Sequence, residues 1–384
     1  MKTSTNSNRG FERVACACTQ QWLYLLGDEG VIYSEAHNRF VGLDGAGLSA
    51  YRAFDAGASV EDLRMFNDGH CLASASGDGL ETIYALSQGI FPLEDKPVEW
   101  PPLDYSGLES PGTANIEIHG IPVLLEYPAG PLERLCADYF RNCPTTDVAA
   151  RCHLSAKHTK RGWAIYVNGH EFLSLQGEQQ LGLGFMHAAR SLLYAEGEYD
   201  IAFHAAMVAH DDCGIMLCAP RECGKSTLAA YLVAQGFDLL TDEPALLHLD
   251  TCSVSSLPLP VSLKQGSWPI LWQELPKLAE APVHVRSDGI MIRLAHPQTE
   301  RSSVRPRRLT CIVFPEYQPL STTYVEPLSL FSKLSSLNEG GMLLAKQFSQ
   351  ERFETFLKLL FLTPAYRIRY ASLKEAERIL HELT

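Results

Sequence analysis

Residues 204–247 read HAAMVAHDDCGIMLCAPRECGKSTLAAYLVAQGFDLLTDEPALL, and the rest of the chain is organised around this stretch. Its centre, Ala219-Pro-Arg-Glu-Cys-Gly-Lys-Ser-Thr227, has the spacing of a phosphate-binding loop, with Ala219 where the first glycine usually stands. Apolar Gly214 to Cys218 predicts a short buried strand before it. Ser226 to Gln235, with Leu228, Ala229, Leu232 and Val233 on one side, predicts a helix stopped by Gly236. Strand, glycine-bearing turn and helix N-terminus are the setting in which backbone N–H groups and the helix dipole hold phosphate oxygens. In that setting Ala219, Arg221, Glu222, Cys223 and Gly224 form the turn, and Lys225 would neutralise the β/γ-phosphates. The Ser226 hydroxyl would ligate magnesium, with Thr227 beside it. A nucleotide site is expected, with ATP and Mg2+ as cofactors.

Composition narrows the class of partner. The chain has 384 residues, 46% of them hydrophobic, enough for two or three domains and a large core. A formal net charge of −13 argues against nucleic acid or an anionic membrane as main partner, despite the local cluster Arg301, Arg305, Arg307 and Arg308. No apolar run reaches the length of a membrane span. Met1 to Arg9 is polar and Ser/Asn-rich, unlike a signal peptide. Eleven cysteines without metal-ligand spacing fit reduced thiols; Cys16 and Cys18 are too close together for a C-x₂-C zinc knuckle. A cytoplasmic protein is expected, and a homo-oligomer stays open.

At the front, Trp22 to Leu26 and Gly30 to Ser34 flank Gly-Asp-Glu-Gly and predict a β-hairpin, with Phe40 to Leu43 a third strand. Gly45 to Phe54 predicts an amphipathic helix. Ser59 opens another as its N-cap, with Asp62 near the capping-box position. This order, with VIYSEAHNRFVGLDGAGLSAYRAFDAGASVEDL, resembles the PqqD-like fold over roughly residues 20 to 85. The resemblance implies a small winged-helix-like α+β domain over 1–87 that recognises the leader of a ribosomally made, modified peptide. A Pro-, Gly- and acid-rich stretch, 88–112, reads as a linker.

The remainder, 113–384, reads as one domain with a mainly β flanking region ahead of an α/β core. Short strands are expected at Ile116 to Ile118, Val123 to Tyr127 and Trp163 to Val167, with helices at Pro131 to Asn142 and Leu183 to Tyr194. After the loop, Asp238 to Glu243 is apolar then acidic, Pro258 to Lys264 is extended, and 280–308 is a long loop region around short strands. Leu309 to Pro315 and Tyr366 to Tyr370 read as strands; Leu328 to Leu337, Gln350 to Leu360 and Leu373 to Leu383 read as helices.

The spacings around the loop carry a second resemblance, to the HPr kinase/phosphorylase superfamily and more closely to its HPr kinase-related branch. That family has a histidine fifteen residues before the loop's first position, as His204 stands to Ala219. It also has an acidic pair seventeen and eighteen residues after the loop lysine, as Asp242 and Glu243 stand to Lys225. The likeness implies an HPr kinase-like phosphate-loop core in which Asp242 is the general base, Glu243 holds magnesium with Ser226, and His204 tunes the base or the phosphate. Lys264 matches a lysine common in the related branch and would reach a phosphate; Arg293 and Arg305 are candidate transition-state cations. Two departures separate the chain from HPr kinase itself: Thr227 replaces the usual acidic residue after the loop serine, and Glu243 replaces the second aspartate.

Together these readings imply an ATP- and magnesium-dependent kinase acting on a serine-type hydroxyl of a peptide or small protein, with a modified-peptide precursor as leading substrate class. A kinase for a free amino acid or sugar is the nearer rival. A nucleotide-gated peptide-binding module without phosphoryl transfer is the other.

Overall fold

The computed structural model describes residues 10–16, 18, 20–67, 77–88, 91, 112–128, 132–220, 223–257, 259–296 and 305–383. The linker expected at 88–112 lies almost wholly outside the described residues, as do Met1 to Arg9, Arg221, Glu222 and Arg301. Among the described residues the fold is mixed α/β, with ten α-helices and several sheets. No helix there is long and apolar enough to cross a membrane. The chain divides into two compact units, Met1–Lys96 with Glu326–Arg367, and Pro97–Val325 with Ile368–Thr384.

The first unit opens with a four-stranded antiparallel sheet in the order β1 (Glu12–Ala15), β2 (Gln21–Leu26), β3 (Glu29–Ser34), β4 (Arg39–Leu43). The expected hairpin is β2–β3, registered Trp22 to Tyr33 and Tyr24 to Val31. Helix α1 (Gly45–Asp55) follows, its first turn capped by Asp44, which accepts from the Gly47 N–H. Helix α2 (Val60–Asn67) starts on a reciprocal capping box. Ser59 N–H donates to Asp62 at 2.8 Å, and Asp62 N–H donates to the Ser59 hydroxyl at 3.1 Å. Helix α3 (Gly77–Ser87) completes the front. Leu23, Ile32, Leu43, Leu48, Tyr51, Leu86 and Phe91 form its core.

The same unit takes in residues that the sequence reading gave to the 113–384 domain. Phe353, on the helix Gln350–Leu362, is fully buried and stacks on Tyr33 at 4.4 Å between ring centroids. Buried Lys333 donates to the carbonyls of Leu360 and Thr363, satisfying the open end of that helix. Packing of this kind joins residues more than three hundred positions apart, and helical periodicity carries no information about it.

The second unit contains a five-stranded sheet, β5 (Thr113–Ile118), β6 (Ile121–Glu126), β7 (Cys152–Thr159), β8 (Gly162–Val167) and β9 (His170–Leu175). The helix expected over Pro131 to Asn142 is shorter: α4 (Glu133–Ala137) runs into a single 3-10 turn, Asp138–Phe140. Helix α5 (Leu181–Glu196) lies against this sheet. A Cβ at Gly184 would come within 2.7 Å of Ile165, so glycine lets the helix approach β8.

The larger sheet of this unit runs β13-β11-β12-β19-β15-β14-β10. Its members are β10 (Ile201–Phe203), β11 (Ala205–His210), β12 (Cys213–Cys218), β13 (Asp238–Asp242), β14 (Ala245–His248), β15 (Ser253–Val254) and β19 (Arg307–Tyr317). Helix α6 (Lys225–Ala234) joins β12 to β13. β12 pairs parallel with β19 and antiparallel with β11, so alternation of strands and helices in the chain yields a mixed sheet. A three-stranded sheet, β16 (Val261–Lys264), β18 (Met291–Ala295) and β17 (Val283–Val285), contains the short strands expected within the 280–308 loop region; 297–304 lie outside the described residues.

Candidate functional site

Sheet register explains the two spacings around residues 219–227. β11 and β12 form a hairpin in which Ala205 faces Cys218, so His204 is carried to the place where the chain leaves β12 at Ala219. On the other side of β11, Ala206 faces Asp242, and the Glu243 N–H donates to the Ala205 carbonyl at 3.1 Å. The start of β11 therefore sits between the ends of β12 and β13. His204, Ala219, Asp242 and Glu243 meet at one end of these three strands.

The turn enters α6 through Gly224, whose φ of +83° is the left-handed conformation that glycine adopts without cost. The first N–H groups of the helix have no intrahelical partner, and the first turn carries no acidic side chain. Lys225 is 7% exposed; its Nζ donates to the His204 carbonyl at 2.9 Å and to the Ala219 carbonyl at 3.4 Å. Burial pushes its pKa down, while Asp242, Cys218 and Glu243 pull it up. At the other end of the helix Gly236, φ +104°, stops the chain where the sequence placed the stop.

The two acidic residues have different surroundings. Asp242 is 2% exposed, and both its oxygens are engaged. Ser226 Oγ donates to Oδ1 at 3.0 Å, and the Ser262 N–H donates to Oδ2 at 3.1 Å. Burial and the neighbouring Glu243 raise its pKa, against the pull of Arg190 and Lys225. Glu243 turns elsewhere: Oε1 lies 2.5 Å from His204 Nδ1, and Oε2 lies 3.2 Å from Arg190 Nη1. Burial would raise its carboxyl, yet Arg190 and the His204 hydrogen bond bring it down to about 2. Glu243 also has a φ of +70°, a conformation uncommon away from glycine.

The structure thus brings together His204, Ala219, Gly224, Lys225, Ser226, Asp242 and Glu243. Arg221 and Glu222 lie outside the described residues; Cys223 sits in the turn just before Gly224. The Thr227 hydroxyl is 2.6 Å from that of Ser267 and ties α6 to the turn after β16. Lys264 ends β16, two residues from Ser262, whose N–H meets Asp242.

Two expected cations do not join the site. Arg305 is exposed and precedes β19 at the end where Leu309 faces Gly214; the turn lies at the other end of that parallel pair, on the order of 25 Å along the strand. Arg293 donates to the Leu278 carbonyl at 2.5 Å and covers the Trp268 ring at 4.8 Å, so its charge serves packing.

Arg190 was not among the sequence candidates. It stands four residues after Met186 and three before Leu193, both buried, so it lies on the apolar stripe of α5. A lone arginine on such a stripe was the available signal. Ser262 and Ser267 carried none, since they act through an N–H and a common hydroxyl.

Among the described residues no group of three or more His, Cys, Asp or Glu side chains is arranged to hold a metal ion. The oxygen pair Ser226–Asp242 still suits magnesium, which binds through one or two protein oxygens together with phosphate and water. No protein-family model matches the chain, and no curated protein matches it either.

Proposed function

We propose that the chain is an ATP- and magnesium-dependent kinase that transfers a phosphoryl group to a serine-type hydroxyl on a peptide or small protein. A ribosomally made, modified-peptide precursor is the leading substrate class. The observation that carries the reading is the Ser226–Asp242 hydrogen bond, 3.0 Å, beside buried Lys225 on a strand–turn–helix unit. Hydroxyl, carboxylate and lysine at those positions are the parts that a phosphate-loop nucleotide site uses. On this reading the second unit is an HPr kinase-like core, and the front of the first unit is a winged-helix-like, PqqD-like module.

The roles follow from who touches whom. The open N–H groups at the start of α6 and the charge of Lys225 bind the phosphates. Ser226 and Asp242 would hold the magnesium ion, which would neutralise charge on the β- and γ-oxygens. Asp242 would already carry Ser226, the Ser262 N–H and the ion, so the exchange of a proton with substrate falls to His204. Glu243 fixes the imidazole through Nδ1 and leaves Nε2 as the acceptor. This moves the base from Asp242, where the family likeness put it, to His204, and the magnesium contact from Glu243 to Asp242.

The first unit supports a peptide substrate in two ways. Its sheet ends in β1 and β4, edges of the kind to which an extended peptide adds as a strand. It also holds a cleft of about 430 Å³ lined by Leu26, Glu29, Phe331, Lys333 and Phe361. Incubation with ATP, magnesium and candidate precursor peptides tests the proposal. A single added phosphate, absent with Lys225→Ala and Asp242→Asn, is expected. Phosphate transferred equally by these variants refutes it.

A further inference from the structure

We propose that Arg190 is a positioning residue of this reaction: it fixes Glu243, and through Glu243 the His204 ring, so that Nε2 meets the substrate hydroxyl. The inference rests on the kinase reading and deepens it.

Three observations carry it. The guanidinium is only 11% exposed and lies 3.2 Å from Glu243 Oε2, while the other oxygen of the same carboxylate meets His204 Nδ1 at 2.5 Å. One carboxylate thus links a largely buried cation on α5 to an imidazole at the start of β11. Second, Glu243 has a left-handed backbone, φ +70°, a costly conformation for a side chain of its size unless the surroundings determine it. Third, α5 is a firm mount. It packs on β8 at Gly184, and a Cβ at Gly182 would fall 2.5 Å from the His284 ring. Around Arg190 lie Tyr139 from the 3-10 turn, Tyr194 from α5 itself, and Glu243 and Asp242 from the end of β13.

The chemistry needs such a mount. The hydroxyl oxygen forms a bond to the γ-phosphorus as the bond from that phosphorus to the β–γ bridging oxygen breaks, releasing ADP. The hydroxyl proton passes to His204 Nε2, and the resulting imidazolium is held by ionised Glu243. A carboxylate free to rotate would let the ring turn away. Lysine at position 190 keeps the charge but loses the planar fork that sets the carboxylate's orientation. The ion pair of Arg190 is made with Glu243, so on this proposal its loss acts on turnover more than on binding.

Hydrolysis of MgATP by the full chain, with water as acceptor, tests this without a known peptide. Wild type, Arg190→Lys, His204→Ala and the double variant are compared for kcat, KM and calorimetric MgATP affinity. His204→Ala lowers kcat by about 10²-fold. Arg190→Lys lowers kcat by about tenfold or more with KM within about twofold, and the double variant is no slower than His204→Ala, because residues acting as a unit are non-additive. Wild-type kcat in Arg190→Lys, or a double-variant loss equal to the product of the single losses, overturns the proposal. If Arg190→Lys does not fold, the neutral pair Arg190→Met/Glu243→Gln takes its place. It should bind MgATP as wild type does but turn over at the His204→Ala rate, and a wild-type rate overturns the proposal. A wild-type chain that neither binds nor hydrolyses MgATP instead contradicts the kinase reading, and the inference falls with it.

Discussion

Ser226 Oγ donates to Asp242 Oδ1 at 3.0 Å, while the other oxygen of that carboxylate takes the Ser262 N–H at 3.1 Å. The aspartate is therefore buried and engaged on both oxygens before any ligand arrives. Its pKa is raised by burial and by Glu243. A carboxyl with a raised folded-state pKa contributes stability at low pH and loses it as pH rises through that pKa. At neutral pH, where the carboxyl of the unfolded chain is ionised, this shift opposes folding. Asp242→Asn, which can give its amide to Ser226 and its oxygen to Ser262, should therefore raise the thermal midpoint of the ligand-free protein. It should also lower ATP turnover by about 10²-fold or more. An unchanged or lowered midpoint would argue that the carboxylate is relieved by interactions other than these.

Glu243 has the opposite sign. Its carboxyl is held near 2 by Arg190 and His204, against an ordinary value of 4.5. The stability it contributes is present above 4.5 and is lost as pH falls from there towards 2. Glu243→Gln should flatten the acid leg of a circular-dichroism stability profile in that window. A profile that keeps its slope there would show that Glu243 is not the titrating partner.

Gly224→Ala separates strain from crowding. An added Cβ would have Tyr317 Cβ and the Tyr370 hydroxyl as its nearest neighbours, each at 3.8 Å, so space is available. The φ of +83° remains, and an L side chain there costs about 1–2 kcal/mol. A modest fall in unfolding free energy with a larger fall in MgATP affinity is expected, since a relaxed turn would redirect the helix's first N–H groups. Equal affinity in the two proteins would mean that the turn does not hold phosphate.

Phe353→Ala tests the composition of the first unit. The ring is fully buried and stacks on Tyr33 at 4.4 Å. Its removal should cost about 3–5 kcal/mol and expose β1 to β4 to limited proteolysis. Proteolysis confined to residues after 326 would show that the front sheet stands without the returning segment. For the same reason, cutting off residues 1–96 is a poor test of peptide capture, because it uncovers Phe353.

The elements next to the loop were legible because local rules and tertiary structure agree there. Gly214 to Cys218 is a buried strand, Lys225 opens the helix one residue before the expected start, and Gly236 ends it. The capping box at Ser59 and Asp62 was equally readable, since both partners lie within one turn. The convergence of His204, Asp242 and Glu243 was signalled only as a pair of spacings; its cause is the β11–β12 hairpin with β13 alongside. The different surroundings of Asp242 and Glu243 could not be read, because Glu243 leaves the strand with a φ of +70° and meets Arg190, which comes from α5. Arg305 was misplaced for a related reason. Sequence proximity to a strand does not say which end of the sheet it reaches, and parallel pairing with β12 sends it away from the loop. The return of residues 326–367 to the first unit rests on side-chain stacking across the whole chain length.

Transfer of labelled γ-phosphate from ATP in the presence of magnesium, compared between wild type and Lys225→Ala, reads phosphoryl transfer itself. Turnover by the wild-type chain is expected, with a loss of at least about 10²-fold when the buried lysine is removed, in a variant whose fold survives by circular dichroism. A wild-type chain that releases or transfers no phosphate, or a Lys225→Ala variant that keeps the wild-type rate, would contradict the proposed function.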